Sequence, residues 1–280
     1  MQVCLKFQTN LYHNKKNNLQ EEFHQEMERI LFVAIIMLTL IGSFTYSAQD
    51  LDKSMVLYLS FDQLNGKTVK DHSKHGNHGE IAGNPKLVEG KFGKCLEFNG
   101  KSDWVVVEHH KSLCVEEEVT VMAWIKTERF TDPATQWQGI VAKSNSPRSY
   151  SFYTTSGGGG ALHFSAAGGS TSHKIKLDEW QHVVAQMTKK GQHQYYINGE
   201  DGGTGGGGAL PGEKDTANVL VGDTHEGTRE FLGLIDEVRI WNRELSQKEV
   251  KEHMNKGYDE LFAVDPNQKL TTTWGTLKRL

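Results

Sequence analysis

Hydrophobic and polar residues alternate in short runs through most of this chain, with turn residues between the runs. A period of two over such short stretches marks half-buried strands. It predicts strands over residues 55–61, 79–81, 95–98, 104–107, 119–127, 140–143, 150–154, 161–165, 180–188, 193–197, 219–221 and 231–241. Glycines 157–160 join one pair into a hairpin, and Lys189-Lys190-Gly191 turns another. Asn198-Gly199 then ends that second hairpin with a dipeptide suited to tight turns that need positive φ. The Gly-Gly-Thr-Gly-Gly-Gly-Gly run at 202–208 lacks the Gly-Lys-Ser/Thr ending of a phosphate loop and is expected to be a flexible inter-strand loop. In the last strand Leu234, Ile235, Val238, Ile240 and Trp241 supply β-branched and aromatic bulk, while Glu237, Arg239 and Arg243 are expected to face water. Ser246 and Glu249 form a capping box ahead of Val250, His253 and Met254, so a helix follows at once and ends near Phe262. About a dozen short strands with one short C-terminal helix fit an all-β, two-sheet antiparallel sandwich.

Four segments carry a resemblance. Phe98-Asn99-Gly100-Lys101-Ser102-Asp103-Trp104-Val105-Val106-Val107 resembles the "F-D/N-G, then D-aromatic-V" block of laminin-G-like domains. Val119-Thr120-Val121-Met122-Ala123-Trp124-Ile125-Lys126 is similar to their "F-T-I-S-A-W-I-K" strand, with Val119 where Phe is usual. Trp180-Gln181-His182-Val183-Val184-Ala185, followed by Tyr195-Tyr196-Ile197-Asn198-Gly199-Glu200, resembles their "W-H-H-V-A … Y-V-N-G" hairpin. The closing segment from Ile235 to Ser246 completes the order. The resemblance implies a laminin-G-like jelly roll of the concanavalin A-like lectin/glucanase superfamily over residues 51–262, with a polar tail at 263–280.

Composition narrows the partners. Among 280 residues the net charge is −4, and no lysine-arginine run offers a footprint for nucleic acid or a polybasic membrane patch. Three cysteines are present. Cys4 lies in the N-terminal extension, and Cys95 and Cys114 belong to segments flanking the 98–107 strand, where a disulfide and two buried thiols are the alternatives.

An almost unbroken apolar run at 30–41 follows Met27-Glu28-Arg29 and precedes small and polar residues through Ser47 and Ala48. Extended to Phe44 it reaches 15 residues, short of the about 20 that a spanning helix needs. Residues 27–48 therefore read as a secretory signal peptide starting at Met27, with 1–26 an upstream extension. An uncleaved membrane anchor is the rival, and only then would the chain contact a membrane.

Chemistry is sparser. Trp137 lies in the polar segment 130–138, which reads as a loop, where an indole offers a flat face to a sugar ring and Asp132, Gln136 and Arg148 offer hydroxyl partners. The other reading folds the indole back on the sandwich edge. Asp103 and Trp104 form a second ligand-binding pair, whereas Trp124, Trp180 and Trp241 read as core. The resemblance implies a structural calcium near the first and last strands, with Asp62, Asn77 and Asp236 as ligands. His72, His75 and His78 recur every three residues in a Gly/Asn/Ser-containing loop and read as solvated rather than as a zinc site. His225-Glu226 fails as a metalloprotease motif because position 229 is Arg. Glu116, Glu117 and Glu118 alternate across a strand instead of entering one cleft, and no Gly-x-Ser-x-Gly elbow exists. The expectation is a secreted, non-catalytic module that binds carbohydrate or a glycosylated or protein surface. A carbohydrate-active enzyme and a protein-binding adhesion domain are the alternatives.

Overall fold

The chain divides into two units, Met1–Ser47 and Ala48–Leu280. The computed structural model describes residues 25–27, 29, 52–130, 137–143, 149–155, 159–164 and 170–262. Of the first unit this covers four helical positions, so the signal peptide or anchor, apart from Met27 and Arg29, lies outside the described residues, as does the 263–280 tail. Among the described residues, no helix is long and apolar enough to cross a membrane.

The second unit is built from short antiparallel strands: β1 (Met55–Asn65), β2 (Thr68–Asp71), β3 (Gly79–Ala82), β4 (Lys86–Glu89), β5 (Lys94–Asn99), β6 (Trp104–Val107), β7 (Val119–Thr127) and β8 (Trp137–Lys143). There follow β9 (Ser151–Thr155), β10 (Ala161–Phe164), β11 (Ser170–Lys174), β12 (Gln181–Met187), β13 (His193–Ile197), β14 (Glu200–Gly205), β15 (Val219–Val221) and β16 (Leu232–Trp241). Two helices, α1 (Gln247–Met254) and α2 (Tyr258–Phe262), succeed the last strand. The predicted single helix is thus two, broken at Asn255 to Gly257. The capping box forms as read: the Ser246 side chain accepts the Glu249 N–H, and the Glu249 side chain accepts the Ser246 N–H.

Neighbouring strands run β11-β10-β9-β8-β15-β6-β3-β2-β1-β16-β7-β12-β13-β14, a path that folds over at β1 and β2 into two layers. β5 pairs with the first half of β16 and β4 with β5. One core unites the layers, with Val105, Phe152 and Val219 from one side meeting Ile125, Val183 and Ile240 from the other. A second cluster lies outside the β1-β16-β7-β12-β13 layer, where Tyr58, Met122, Val184, Tyr196 and Trp241 pack with Val250 of α1 and with Tyr258 and Phe262 of α2. Two-sided cover explains why β12 is buried at every position instead of at alternate ones.

Two sequence expectations fail for local reasons. The glycine-rich stretch after Asn198-Gly199 opens as strand β14, paired with β13 from His193↔Gly205 to Ile197↔Glu200. Asn198 and Gly199 take φ of 52° and 77°, so they form the two-residue turn between β13 and β14. Glu237 and Arg239 are 2% and 1% exposed instead of facing water. A bulge between Asp236 and Arg239, with Glu237 at φ 54°, interrupts the alternation, and the helices close the outer face above it.

Candidate functional site

Of the predicted ligand-binding residues, Asp132, Gln136 and Arg148 lie outside the described residues. Trp137 is the first residue of β8 and is half-buried, so the loop reading of its position is corrected. Its indole lies back over the outer face of the β8-β9-β10 layer. The ring centroid is 5.9 Å from Tyr153 on β9 and 4.9 Å from His163 on β10, edge-on to both. Tyr153 and His163 are register partners, which sets them side by side on one face.

The segment before β16 completes this cluster. The Arg229 guanidinium stands 5.7 Å from the Trp137 and Tyr153 ring centroids and forms an ion pair with Glu226. The Gly139 N–H donates to Arg229 O at 2.8 Å. A Cβ on Gly139 would come within 2.6 Å of Asp223 O, so only glycine lets this segment lie directly on β8. Burial raises the Asp223 carboxyl to about 6, and Glu230 adds to the shift against the Thr224 N–H bond. The position that failed as the second metalloprotease histidine therefore holds the arginine of an aromatic cluster.

Asp103 is structural. Its buried carboxylate accepts the N–H groups of Asn84 at 2.9 Å and Asn99 at 3.2 Å, tying two turns together. Trp104 is half-buried on β6, opposite Ala82.

The three metal candidates do not gather. Asn77 is held elsewhere, its side-chain amide donating to Val56 O at 2.8 Å and Ser112 Oγ at 2.9 Å. Asp62 and Asp236 do share a loop. Asp62 Oδ1 accepts the Lys94 N–H at 2.7 Å, and Asp236 Oδ2 accepts those of Lys91 at 2.8 Å and Phe92 at 3.1 Å. Gly90 and Gly93 sit where a Cβ would crowd Asp236 Oδ2 and Asp62 Oδ1 respectively. Phe61 and Glu237, next to the two aspartates in sequence, both take positive φ, at 63° and 54°. Asp236 Oδ1 is buried and has no hydrogen-bond partner. Burial, then the Glu237 charge, with a smaller contribution from Asp62, pushes the Asp236 carboxyl up to about 8. Among the described residues, no three His, Cys, Asp or Glu side chains form a metal-holding group.

Cys95 and Cys114 are free, which corrects the disulfide expectation. Cys95 belongs to β5, beside β4 and β16, and its Sγ donates to Glu89 O; Cys114 follows β6, and its Sγ donates to Asp215 O. The chain between them crosses from one layer to the other. Burial raises the Cys95 thiol to about 12, which keeps it unreactive.

The histidine loop is only partly solvated. His75 and His78 are exposed, but His72 is buried, with its ring 4.2 Å from Tyr258 and 5.4 Å from Tyr58. Trp124 and Trp241 are buried on the outer layer face, and Trp180 is half-buried. The Trp124 indole N–H donates to Met254 O at 3.2 Å. Beneath the helices, the Tyr58 hydroxyl donates to Glu237 at 2.7 Å, and Arg239 binds Glu237, the Tyr58 oxygen and the carbonyls of His253 and Lys256. This network was missed because its only sequence signal, Glu-x-Arg within an alternating strand, looks like a solvated face.

The chain belongs to the concanavalin A-like lectin/glucanase superfamily, through a laminin-G-type family model that matches residues 99–251. Comparison with curated proteins finds no match. Among solved structures, the chain is similar to domain 4 of AbnA, a GH43 extracellular arabinanase from Geobacillus stearothermophilus, in complex with arabinotriose. The identity is 20% over 72% of this chain and 98% of that one, at a TM-score of 0.57. The binding domain of Paraclostridial Mosquitocidal Protein 1 is similar at 16% identity and a TM-score of 0.58, over 72% of this chain. The binding domain of botulinum neurotoxin DC, in complex with rat synaptotagmin II, is similar at 16% and 0.55 over the same share. The chain spans about half of those two, 52% and 51%. At these identities the likeness establishes a jelly-roll sandwich.

Proposed function

We propose that this protein is a secreted, non-catalytic binding module that recognises carbohydrate, free or on a glycosylated surface, through the Trp137 face. The observation that carries this reading is the unequal treatment of the two outer faces. The β1-β16-β7-β12-β13 face lies under α1 and α2, whereas the β8-β9-β10 face holds a half-buried indole braced by Tyr153, His163 and Arg229. An indole fixed before binding loses little entropy when a sugar stacks on it, and carboxylates at its rim accept hydroxyls. The arabinotriose complex of the arabinanase domain supports a sugar, and the synaptotagmin complex of the toxin domain supports a protein partner as the alternative.

A calcium ion suits the Asp62 and Asp236 pair. The unpartnered Asp236 oxygen and its proton affinity are those of a carboxylate lacking its countercharge. These two side chains, with main-chain carbonyls, would hold the ion, whose charge would fix the 90–94 loop against β1 and β16.

A glycan-array assay on the purified chain, with calcium and again with chelator, tests both parts. Calcium-dependent binding to a defined glycan class, at least tenfold weaker in Trp137→Ala, is expected. A melting temperature indifferent to calcium would remove the metal, and equal binding by Trp137→Ala would remove the face. Amino-terminal sequencing of the exported product tests secretion; residues upstream of Ser47 surviving in it would contradict the signal-peptide reading.

A further inference from the structure

We infer that the Trp137 site selects uncharged oligosaccharides and rejects sialylated, sulfated or uronate-bearing ones. The inference rests on the reading of this face as a sugar site and concerns the charge of what it takes.

An anionic sugar needs a cation whose donors are open, typically a guanidinium fork facing the carboxylate or sulfate. The described cations directly against Trp137 and the segment packed on it are committed; the exposed Lys174 shares the row Trp137–Thr155–Ala161–Lys174 but stands three strands away. Arg229 is only 19% exposed at its side chain and is matched by Glu226, at 12%. Arg129 donates to Gln138 Oε1 at 3.1 Å and to the carbonyls of Gly100 and Glu230, both at 3.1 Å. His225 Nε2 pairs with Asn218 O at 2.8 Å.

Acids, by contrast, are in surplus. Asp223, Glu226 and Glu230 all come from the segment that lies on β8, against Arg229 and Arg129. Asp223 uses Oδ1 for the Thr224 N–H at 2.6 Å, which leaves Oδ2 to accept from a ligand hydroxyl. A second anion brought here would meet like charge in a partly desolvated setting, and that repulsion is strong where water screens poorly. A neutral ring instead brings hydroxyl donors to these carboxylates and an apolar face to the indole.

The test measures affinity of the full chain for matched neutral and acidic oligosaccharides at about 50 and 500 mM salt. Expected are binding to neutral members, less than twofold change with salt, and at least tenfold weaker binding by Trp137→Ala and by Asp223→Asn at unchanged melting temperature. Should either variant fail to fold, Trp137→Phe and the salt series carry the test. Preference for acidic members, with affinity falling steeply in salt and still lost in Trp137→Ala, would overturn the charge selectivity and leave the sugar site standing. Sugar binding unaffected by Trp137→Ala, or no sugar binding at all, would overturn both.

Discussion

On each outer face of the sandwich an arginine stands over an aromatic ring and pairs with a glutamate close by in sequence. Under the helices, Arg239 lies 4.5 Å from the Tyr58 ring centroid and pairs with Glu237. On the opposite face, Arg229 stands 5.7 Å from Trp137 and Tyr153 and pairs with Glu226. The parts match, but Arg239 is 1% exposed and its terminal nitrogens also donate to the carbonyls of His253 in α1 and of Lys256 just beyond it. The buried copy is a clamp that holds a helix, and the half-open copy braces an indole. Burial therefore decides which of the two matters for stability and which serves a face left open beside it.

The largest expected effect separates the two arginines. Arg239→Met leaves Glu237 buried and uncompensated, so unfolding in denaturant should show a loss of about 3–5 kcal/mol. Arg229→Met removes a partly exposed pair and should cost less than about 1 kcal/mol. Equal losses would mean that the faces do not differ as described.

Acid should loosen the covered face first. His72 and His253 are held at about 4 and His182 at about 3, in each case mainly by burial, with the Arg239 charge adding for His182 and His253. His193, in the core beside Phe164, is held at about 4 by burial. Each is neutral in the fold but takes a proton near pH 6.5 once unfolded. Stability is therefore full above that pH and falls as pH drops from 6.5 toward 4, by about 1.4 kcal/mol per pH unit for each histidine. Asp236, at about 8, and Asp223, at about 6, act in the opposite sense, since their folded forms hold protons that the unfolded chain releases above about pH 4. Among these six groups the four histidines outweigh the two aspartates, so their net trend is a loss; the upward-shifted Asp62, Glu237 and Glu244 oppose it, and the downward-shifted Asp52 and Glu249 add to it. Hydrogen exchange measured from pH 7 to 5 should show α1 and α2 opening before β8 to β10. A flat profile, or simultaneous opening, would contradict the separation.

How much of this was legible in the sequence depended on what each segment used for support. β6, β7, β13 and β15 match their predicted bounds, because alternating Val, Ile and aromatic residues carry the burial pattern in their own side chains. β2, β4, β11 and β14 went unread, because they are short and polar or glycine-rich and are held by main-chain pairing with β1, β5, β10 and β13. Asp62 and Asp236 were brought together by the family resemblance, which implies a site near the first and last strands. The bulge that buries Glu237 leaves no trace in the alternation, and Tyr153, His163 and Arg229 meet Trp137 only once strand register is known. The site is thus a product of register, whereas the fold is a product of pattern.

The smallest change sharpens the comparison most cleanly, because it touches the cover without entering either arginine cluster. Ser246 caps α1, with its hydroxyl accepting the Glu249 N–H. Ser246→Ala leaves that donor unpaired at the helix start and should cost about 1 kcal/mol. Because α1 packs on Trp241 and Tyr196, and neither residue belongs to the Trp137 cluster, the loss should appear as faster hydrogen exchange in residues 247–262. Glycan affinity at the opposite face should stay within twofold of the parent. If affinity falls together with helix protection, the two faces are energetically coupled through the shared core, and the covered side is part of the binding machinery.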